Sequence, residues 1–175
     1  MCIRDRLRDW GMNVIRLGII WDGLEPEPGV YDDAYLAAMD QRVAWAANHG
    51  LYVFLDMHQD LYSVLYSDGA PEWATLTDDQ PHIDRGDVWS DAYLTSPAIQ
   101  RAFENFWANA PASDGLGIQD HYAAAWRHVA ERYADCLLYT SDAADDPLCV
   151  DLGGRRLIQN KTTKLNTDQL CAQLT

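Results

Sequence analysis

The sequence predicts an α/β fold, and three successive segments support this. A short β-branched run, Asn13 to Trp21, is typical of a strand buried on both faces. Apolar residues at helical spacing follow between Asp32 and Gly50, and a second apolar run, Leu51 to Met57, indicates another strand. A strand, a helix and a strand with short connections form a βαβ unit, which implies a parallel pair of strands with a right-handed crossover.

The first predicted helix has both a start signal and a stop signal. Asp32 and Asp33 can cap its amino end, and Gly50 suits the left-handed position that follows a helix. Apolar residues recur every three or four positions and predict a buried face that consists of Leu36, Met39, Val43 and Ala47.

Two further helices are predicted downstream, and both are expected to be packing helices. The pair Ser96-Pro97 opens the first of them, and Asp120 opens the second. Their apolar faces consist of Ile99, Phe103 and Phe106, and of Tyr122, Trp126, Val129 and Tyr133. The stretch from Asp60 to Thr95 shows no period, and connections of that length are usually functional or disordered. Its aromatic residues favour function: Tyr62, Tyr66, Trp73, Trp89 and Tyr93.

The charge of the chain excludes several classes of partner. Its 175 residues carry 13 Lys and Arg against 27 Asp and Glu, a formal net charge of −14. Such a field repels nucleic acid and anionic lipid, so we expect no nucleic-acid partner. A membrane helix needs roughly 20 apolar residues in a row, and no such run occurs, so we expect no stable membrane insertion.

Both ends of the chain resemble translated sequencing adapters. MCIRDR, residues 1–6, is the translation of one strand of a transposase-type library adapter, and CLLYTSDAADD, residues 136–146, resembles the opposite strand. We therefore expect residues 1–6 and 136–175 to be non-native, and the longer of the two to be disordered. The alternative is a natural tail whose cysteines form a disulfide or a metal site. All four cysteines lie in these ends: Cys2, Cys136, Cys149 and Cys171.

The end of the second strand has the strongest chemical pattern in the chain. Asp56, His58 and Asp60 alternate along LDMHQD, so they share one face if the strand stays extended. In α/β folds, ligands bind at the carboxyl ends of the strands. Arg16, inside the first strand, needs a carboxylate partner if it is buried, and Asp56 is a candidate. Alternatively, Arg16 reaches solvent from a strand edge.

Two other interpretations of this strand end remain open. His58 and Asp60 could be a satisfied structural pair without a ligand. Asp56, His58 and Asp60 could also bind a metal ion, although no second histidine-rich strand end is present to complete such a site.

The motifs together resemble glycoside hydrolase family 5. The resemblance rests on Arg16, on WDGLEPEPGVYD (Trp21 to Asp32) and on LDMHQDLYS (Leu55 to Ser63). GAPEWAT (Gly69 to Thr75) and RAFENFW (Arg101 to Trp107) are most similar to the endoglycoceramidase branch of that family. The resemblance covers residues 7–135 and implies a partial catalytic domain, about strands 2 and 3 of a (β/α)8 barrel with their helices.

The resemblance also implies an activity. The parent protein would be a retaining endo-β-glycosidase without metal or cofactor, and its substrate would be a carbohydrate or a glycolipid. In the endoglycoceramidase branch, the bond cut joins an oligosaccharide to ceramide. The family context suggests that the parent is secreted, while the compartment itself is unknown from this sequence.

Roles for individual residues follow from the same resemblance. Arg16 would brace the nucleophile, His58 and Asp60 would hydrogen-bond the sugar next to the scissile bond, and Trp21 would form part of the pocket wall. The family's proton donor, the glutamate of an Asn-Glu-Pro motif, and its nucleophile glutamate are both missing here, so we expect this chain to be inactive.

Two rival functions come from other classes. The first is a metal-dependent barrel hydrolase that uses Asp56, His58 and Asp60. The second is a non-catalytic carbohydrate-binding domain that uses the aromatic residues of the long loop. Fold analogy alone does not separate these from a glycosidase.

Overall fold

The structure is a computed structural model that describes residues 6–83, 86, 88–134 and 139–141. Its strands are β1 (Val14–Ile20), β2 (Tyr52–His58) and β3 (Tyr139–Ser141). Its helices are α1 (Trp21–Leu24), α2 (Asp33–Asn48), α3 (Ala92–Thr95), α4 (Pro97–Trp107) and α5 (Ile118–Arg132). Two single turns of 3₁₀ helix lie between β2 and α3, at Glu72–Ala74 and Trp89–Asp91.

The strands form a parallel sheet in the order β1-β2-β3. β1 and β2 pair along their full length, from Val14 opposite Tyr52 to Ile20 opposite His58. With α2 between them, they confirm the predicted βαβ unit. Because parallel strands end at the same edge of a sheet, the residues that follow Ile20 and His58 lie close together. This edge carries the candidate site.

Helix α2 begins and ends where the sequence predicts. The Oδ1 atom of Asp32 accepts hydrogen bonds from the backbone N–H groups of Ala34 and Tyr35, at 2.8 and 3.0 Å. After the helix, Gly50 has a φ of +64°, a conformation that glycine adopts without strain. The buried face ends at Ala46 and not at Ala47 as predicted, because the buried row advances by three residues after Val43.

Helices α4 and α5 are both present, and the predicted buried face of α5 needs correction. α4 starts at Pro97, as expected. α5 starts at Ile118, two residues before Asp120. Its buried residues are Ile118, His121, Ala125 and Val129, whereas Tyr122 and Trp126 are only partly buried. The sequence favours the aromatic residues because of their size, but a polar side chain, His121, occupies the interior since it has carboxylate partners there.

The long connection after β2 is built on specific hydrogen bonds in its described part. Leu61 and Tyr62 both have positive φ angles, 55° and 76°, which side chains rarely favour. The Leu61 N–H donates to the Tyr93 hydroxyl at 2.8 Å, and the Tyr62 N–H donates to Gln59 Oε1 at 2.7 Å. These contacts hold the turn in a strained shape next to His58.

The two faces of the sheet differ in their surroundings. One face packs against α2 and α5, and the core there includes Ile19, Val53, Leu55, Leu36, Val43, Ala125 and Val129. On the other face, Val14 and Tyr52 are 51% and 56% exposed, although both are large apolar residues. Arg16 lies on that open face, which in a closed barrel would be the interior.

Three residues of the segment that we expect to be non-native take part in the sheet. Tyr139–Ser141 pairs in parallel with β2, with Val53 opposite Tyr139 and Leu55 opposite Ser141. The other residues of that segment, and residues 1–5, lie outside the described part of the chain, and the adapter interpretation of them stays a prediction. No helix among the described residues has the length and apolar character that crossing a bilayer requires.

An ion pair joins the two long helices α2 and α5. Arg132 Nε and Nη2 donate to the carboxylate of Asp40, at 3.0 and 2.6 Å. Hydrogen bonds from Arg132 lower the pKa of Asp40. A lowered carboxyl pKa stabilises the folded state above the ordinary pKa, and this stability is lost as the pH falls through the folded value.

We expect Asp40→Asn, in the protein translated from the complete reading frame (hereafter the full-length protein), to lower the free energy of unfolding by about 1 kcal/mol at pH 7. The difference from wild type should shrink as the pH drops below about 4, where the unfolded carboxyl becomes protonated. Urea unfolding at several pH values measures it. A difference that is constant from pH 7 to pH 3 would contradict the role of the ion pair.

Candidate active site

A buried carboxylate at the end of β2 organises the candidate site. Asp56 is only 7% exposed, and its Oδ2 atom lies 2.6 Å from Arg16 Nη2 on the neighbouring strand. The predicted pairing of these two residues is therefore present. The Arg16 side chain is nonetheless 61% exposed, so its guanidinium both pairs with Asp56 and reaches solvent.

The same carboxylate oxygen also orients His58. His58 Nδ1 lies 3.1 Å from Asp56 Oδ2 and 3.4 Å from Arg16 Nη2. The shorter contact, to a carboxylate, favours a proton on Nδ1 that is donated to Asp56, because Arg16 can only donate. Nε2 then points away from Asp56 and lies 3.6 Å from Asp60 Oδ2, which is too long for a direct hydrogen bond.

Asp60 is positioned by Asp68, a residue that the sequence did not single out. The Asp60 N–H donates to Asp68 Oδ1 at 2.9 Å, and the two backbones exchange hydrogen bonds of 3.2 Å in both directions. Gly69, the next residue, has a φ of +120°, and a Cβ there would lie 2.5 Å from the Cβ of Gln59. Only glycine fits this close approach, which brings Asp68 beside Asp60.

The alternative of a metal site requires a different set of ligands from the predicted one. Among the described residues, His58, Asp60 and Asp68 offer ligand atoms that all lie within 4.8 Å of one another. Asp56 is not in this group, because its Oδ2 atom faces Arg16 and His58 instead. One imidazole and two carboxylates are compatible with a divalent cation such as Zn²⁺ or Mn²⁺.

A pocket of about 260 Å³ lies beside His58 and has mainly aromatic and apolar walls. Residues that line it include Trp21, Met57, Tyr62, Phe103, Phe106 and Tyr122. Trp21, predicted to form part of a pocket wall, lines this pocket but is only 3% exposed. The structure thus brings Trp21 and His58 to one pocket, while Asp60 lies beyond its lining next to His58.

Hydrogen bonds to buried groups hold two side chains of the pocket wall, Tyr62 and Trp21, in place. Burial raises the pKa of Tyr62, so its hydroxyl stays protonated and donates to the Ala74 carbonyl at 2.8 Å. The Trp21 indole N–H donates to Glu25, a fully buried carboxylate that the sequence analysis also missed. The only sequence signal for Glu25 is its place directly after the apolar Leu24, within the EPEPG run.

Comparisons with known proteins identify a family for this chain. The sequence model of the cellulase family, glycosyl hydrolase family 5, matches residues 3–140. The chain is 34% identical to the endoglycoceramidase of Cyanea nozakii over 151 residues, a match that covers 74% of this chain and 29% of that protein. It is also 34% identical to a glucosylceramidase of Aspergillus fumigatus, over 73% of this chain and 21% of that protein.

A solved structure shows the same arrangement of strands and helices. Endo-glycoceramidase II from Rhodococcus sp., in a ganglioside GM3 complex, superposes with a TM-score of 0.67 at 38% identity. The match covers 76% of this chain and 32% of that one. The chain therefore spans about a third or less of the proteins that it matches. The predicted fold, part of a (β/α)8 barrel, and the similarity to the endoglycoceramidase branch are both confirmed, and the chain belongs to glycosyl hydrolase family 5.

Proposed function

We propose that the full-length protein is a retaining endo-β-glycosidase that acts on glycolipids, and that this chain supplies part of its sugar-binding surface. Membership of the family supports the reaction type. The two relatives are named for hydrolysis of ceramide glycosides, and the Rhodococcus structure is a complex with ganglioside GM3. These names support a glycolipid as the substrate.

The observation that carries the proposal is the pairing of Asp56 with His58. When Nδ1 donates to Asp56, the Nε2 atom of His58 is an acceptor, and the His58 side chain is 35% exposed. The carboxylate of Asp60, 3.6 Å away, is a second acceptor. Two neighbouring hydroxyl groups of a sugar ring can donate one proton to each acceptor, so this spacing suits a vicinal diol.

Arg16 has a different role in the proposal. Asp56 anchors one of its nitrogens, and the rest of the guanidinium faces the open side of the sheet, where 61% of the side chain is exposed. A guanidinium can bind a second carboxylate through its remaining donors. We assign that carboxylate to the nucleophile, which a later strand of the barrel would supply.

The reaction itself needs two carboxyl groups about 5–5.5 Å apart on either side of the glycosidic bond. One donates a proton to the leaving oxygen, and the other attacks the anomeric carbon to form a glycosyl-enzyme intermediate. Water then releases the sugar with net retention. We propose that both carboxyl groups come from strands outside the described residues. His58 and Asp60 then bind the sugar so that its glycosidic bond lies between the two carboxyl groups.

We expect His58→Ala and Asp60→Ala, each in the full-length protein, to lower kcat/KM for a ganglioside substrate by about 10-fold to 100-fold. The loss follows from one missing hydrogen-bond acceptor for a sugar hydroxyl. Initial rates of glycan release measure it. Asp78→Asn is the control, because Asp78 is a 60% exposed carboxylate outside the site, and it should leave the rate unchanged. Unaltered turnover in both site variants would remove the proposed role.

We expect chelation to leave this activity unchanged, because a mechanism with two carboxyl groups needs no metal ion. Dialysis of the full-length protein against EDTA, followed by the same assay, measures the effect. Loss of activity on chelation that returns with zinc or manganese would instead favour the metal-dependent alternative, with His58, Asp60 and Asp68 as ligands.

A further inference from the structure

Three ionisable residues are linked in series behind Trp21: Glu25 and His121 are buried, and Asp114 is exposed. Glu25 is fully buried, and its Oε2 atom accepts a hydrogen bond from Trp21 Nε1 at 2.7 Å. Its Oε1 atom accepts from the Gly29 N–H at 2.8 Å and lies 3.0 Å from His121 Nδ1. His121, itself 3% exposed, places Nε2 at 3.1 Å from Asp114 Oδ2. The chain of contacts thus runs from the indole of Trp21 to the surface.

Each buried polar group in this arrangement has hydrogen-bond partners. A buried carboxylate without partners would cost several kcal/mol, and here Glu25 faces three donors. Each ring nitrogen of His121 faces a carboxylate oxygen, and the imidazolium form has an N–H group for both. Hydrogen bonds, mainly from the Leu116 N–H and also from His121, lower the pKa of Asp114, so this carboxylate stays ionised.

Glu25 also holds a second indole. Its backbone carbonyl accepts from Trp73 Nε1 at 3.1 Å. The ring of Trp73 packs edge-on against Trp21, with ring centroids 5.5 Å apart, and against His121, at 4.8 Å. One residue therefore fixes both tryptophans, through its side chain and its backbone. Rotation of the Trp21 ring would break a short hydrogen bond to a carboxylate and two edge-on contacts, including one with Tyr122.

We propose that Glu25 and His121 are positioning residues for the sugar, because they set the orientation of the Trp21 ring in the wall of the pocket that His58 also lines. The inference rests on the proposed function. Trp21 is only 3% exposed, so only a small part of its ring reaches the pocket. A small rotation of the indole therefore changes the shape of the wall next to His58. Flat aromatic rings suit the apolar CH faces of sugars only in a fixed orientation.

Glu25→Gln in the full-length protein tests this directly. Glutamine keeps the size of the side chain but has one carbonyl oxygen, so it cannot accept from Trp21 on one side and from Gly29 and His121 on the other. We expect KM for a ganglioside GM3 substrate to rise about tenfold while kcat stays within about twofold, because the loss falls on binding. Asp40→Asn is the control: it removes an ion pair between α2 and α5, away from Trp21, and should leave KM unchanged.

A spectroscopic readout separates positioning from general destabilisation. In ¹⁵N-labelled protein, the Trp21 Nε1–H resonance should shift in Glu25→Gln and stay in place in Asp40→Asn. His121→Asn keeps an amide donor near the position of Nδ1, whereas His121→Leu removes it. The asparagine variant should therefore retain a resonance and a KM closer to wild type than the leucine variant does.

Different results would overturn the proposed function and the positioning role of Glu25 and His121. If wild-type protein does not hydrolyse glycolipids, the proposed function is wrong, and the indole resonance still decides whether Glu25 and His121 orient Trp21. If wild-type protein is active, and folded Glu25→Gln protein shows an unshifted resonance and an unchanged KM, the positioning role is overturned.

Discussion

The carboxylate of Asp56 is the group on which the site depends. A single oxygen, Oδ2, contacts Arg16 on β1 at 2.6 Å and His58 on its own strand at 3.1 Å. A buried carboxylate is costly without a partner, and a histidine at a strand end has no fixed tautomer without one. One buried carboxylate thus connects β1 with β2 and also orients the histidine at the end of β2. In the parallel register, Gly18 lies opposite Asp56, and this pairing brings the side chains of Arg16, Asp56 and His58 together.

Much of the fold follows from local signals in the sequence. The βαβ unit was predictable because β-branched runs, the Asp32 cap and Gly50 all agree with the final structure. The pairing of Arg16 with Asp56 was predictable because opposite charges stand on two neighbouring apolar strands, although the Arg16 side chain is 61% exposed and not buried. For α5, periodicity was right for Val129 and Tyr133, which are buried, but hydrophobicity favours Tyr122 and Trp126 over His121, which is the buried residue.

The residues that sequence reasoning missed depend on long-range contacts. Glu25 and His121 lie 96 positions apart, and each looks like an ordinary surface residue until the fold makes it the other's partner. Asp68 meets Asp60 across a turn that has positive φ angles at Leu61, Tyr62 and Gly69, and no local propensity favours such angles at Leu61 and Tyr62. Polar residues whose partners are distant in sequence are therefore the hardest to place, whereas Arg16, Asp56 and His58 stand on two predicted strands.

A crystal structure of the full-length protein with a bound lactosyl iminosugar would test the role of Asp56, His58 and Asp60 most directly. We expect two neighbouring hydroxyl groups of the sugar to lie within hydrogen-bonding distance of His58 Nε2 and of the Asp60 carboxylate, while Asp56 keeps its contacts with Arg16 and His58. A sugar bound elsewhere in the barrel, with no contact to His58 or Asp60, would show that these residues do not bind the substrate.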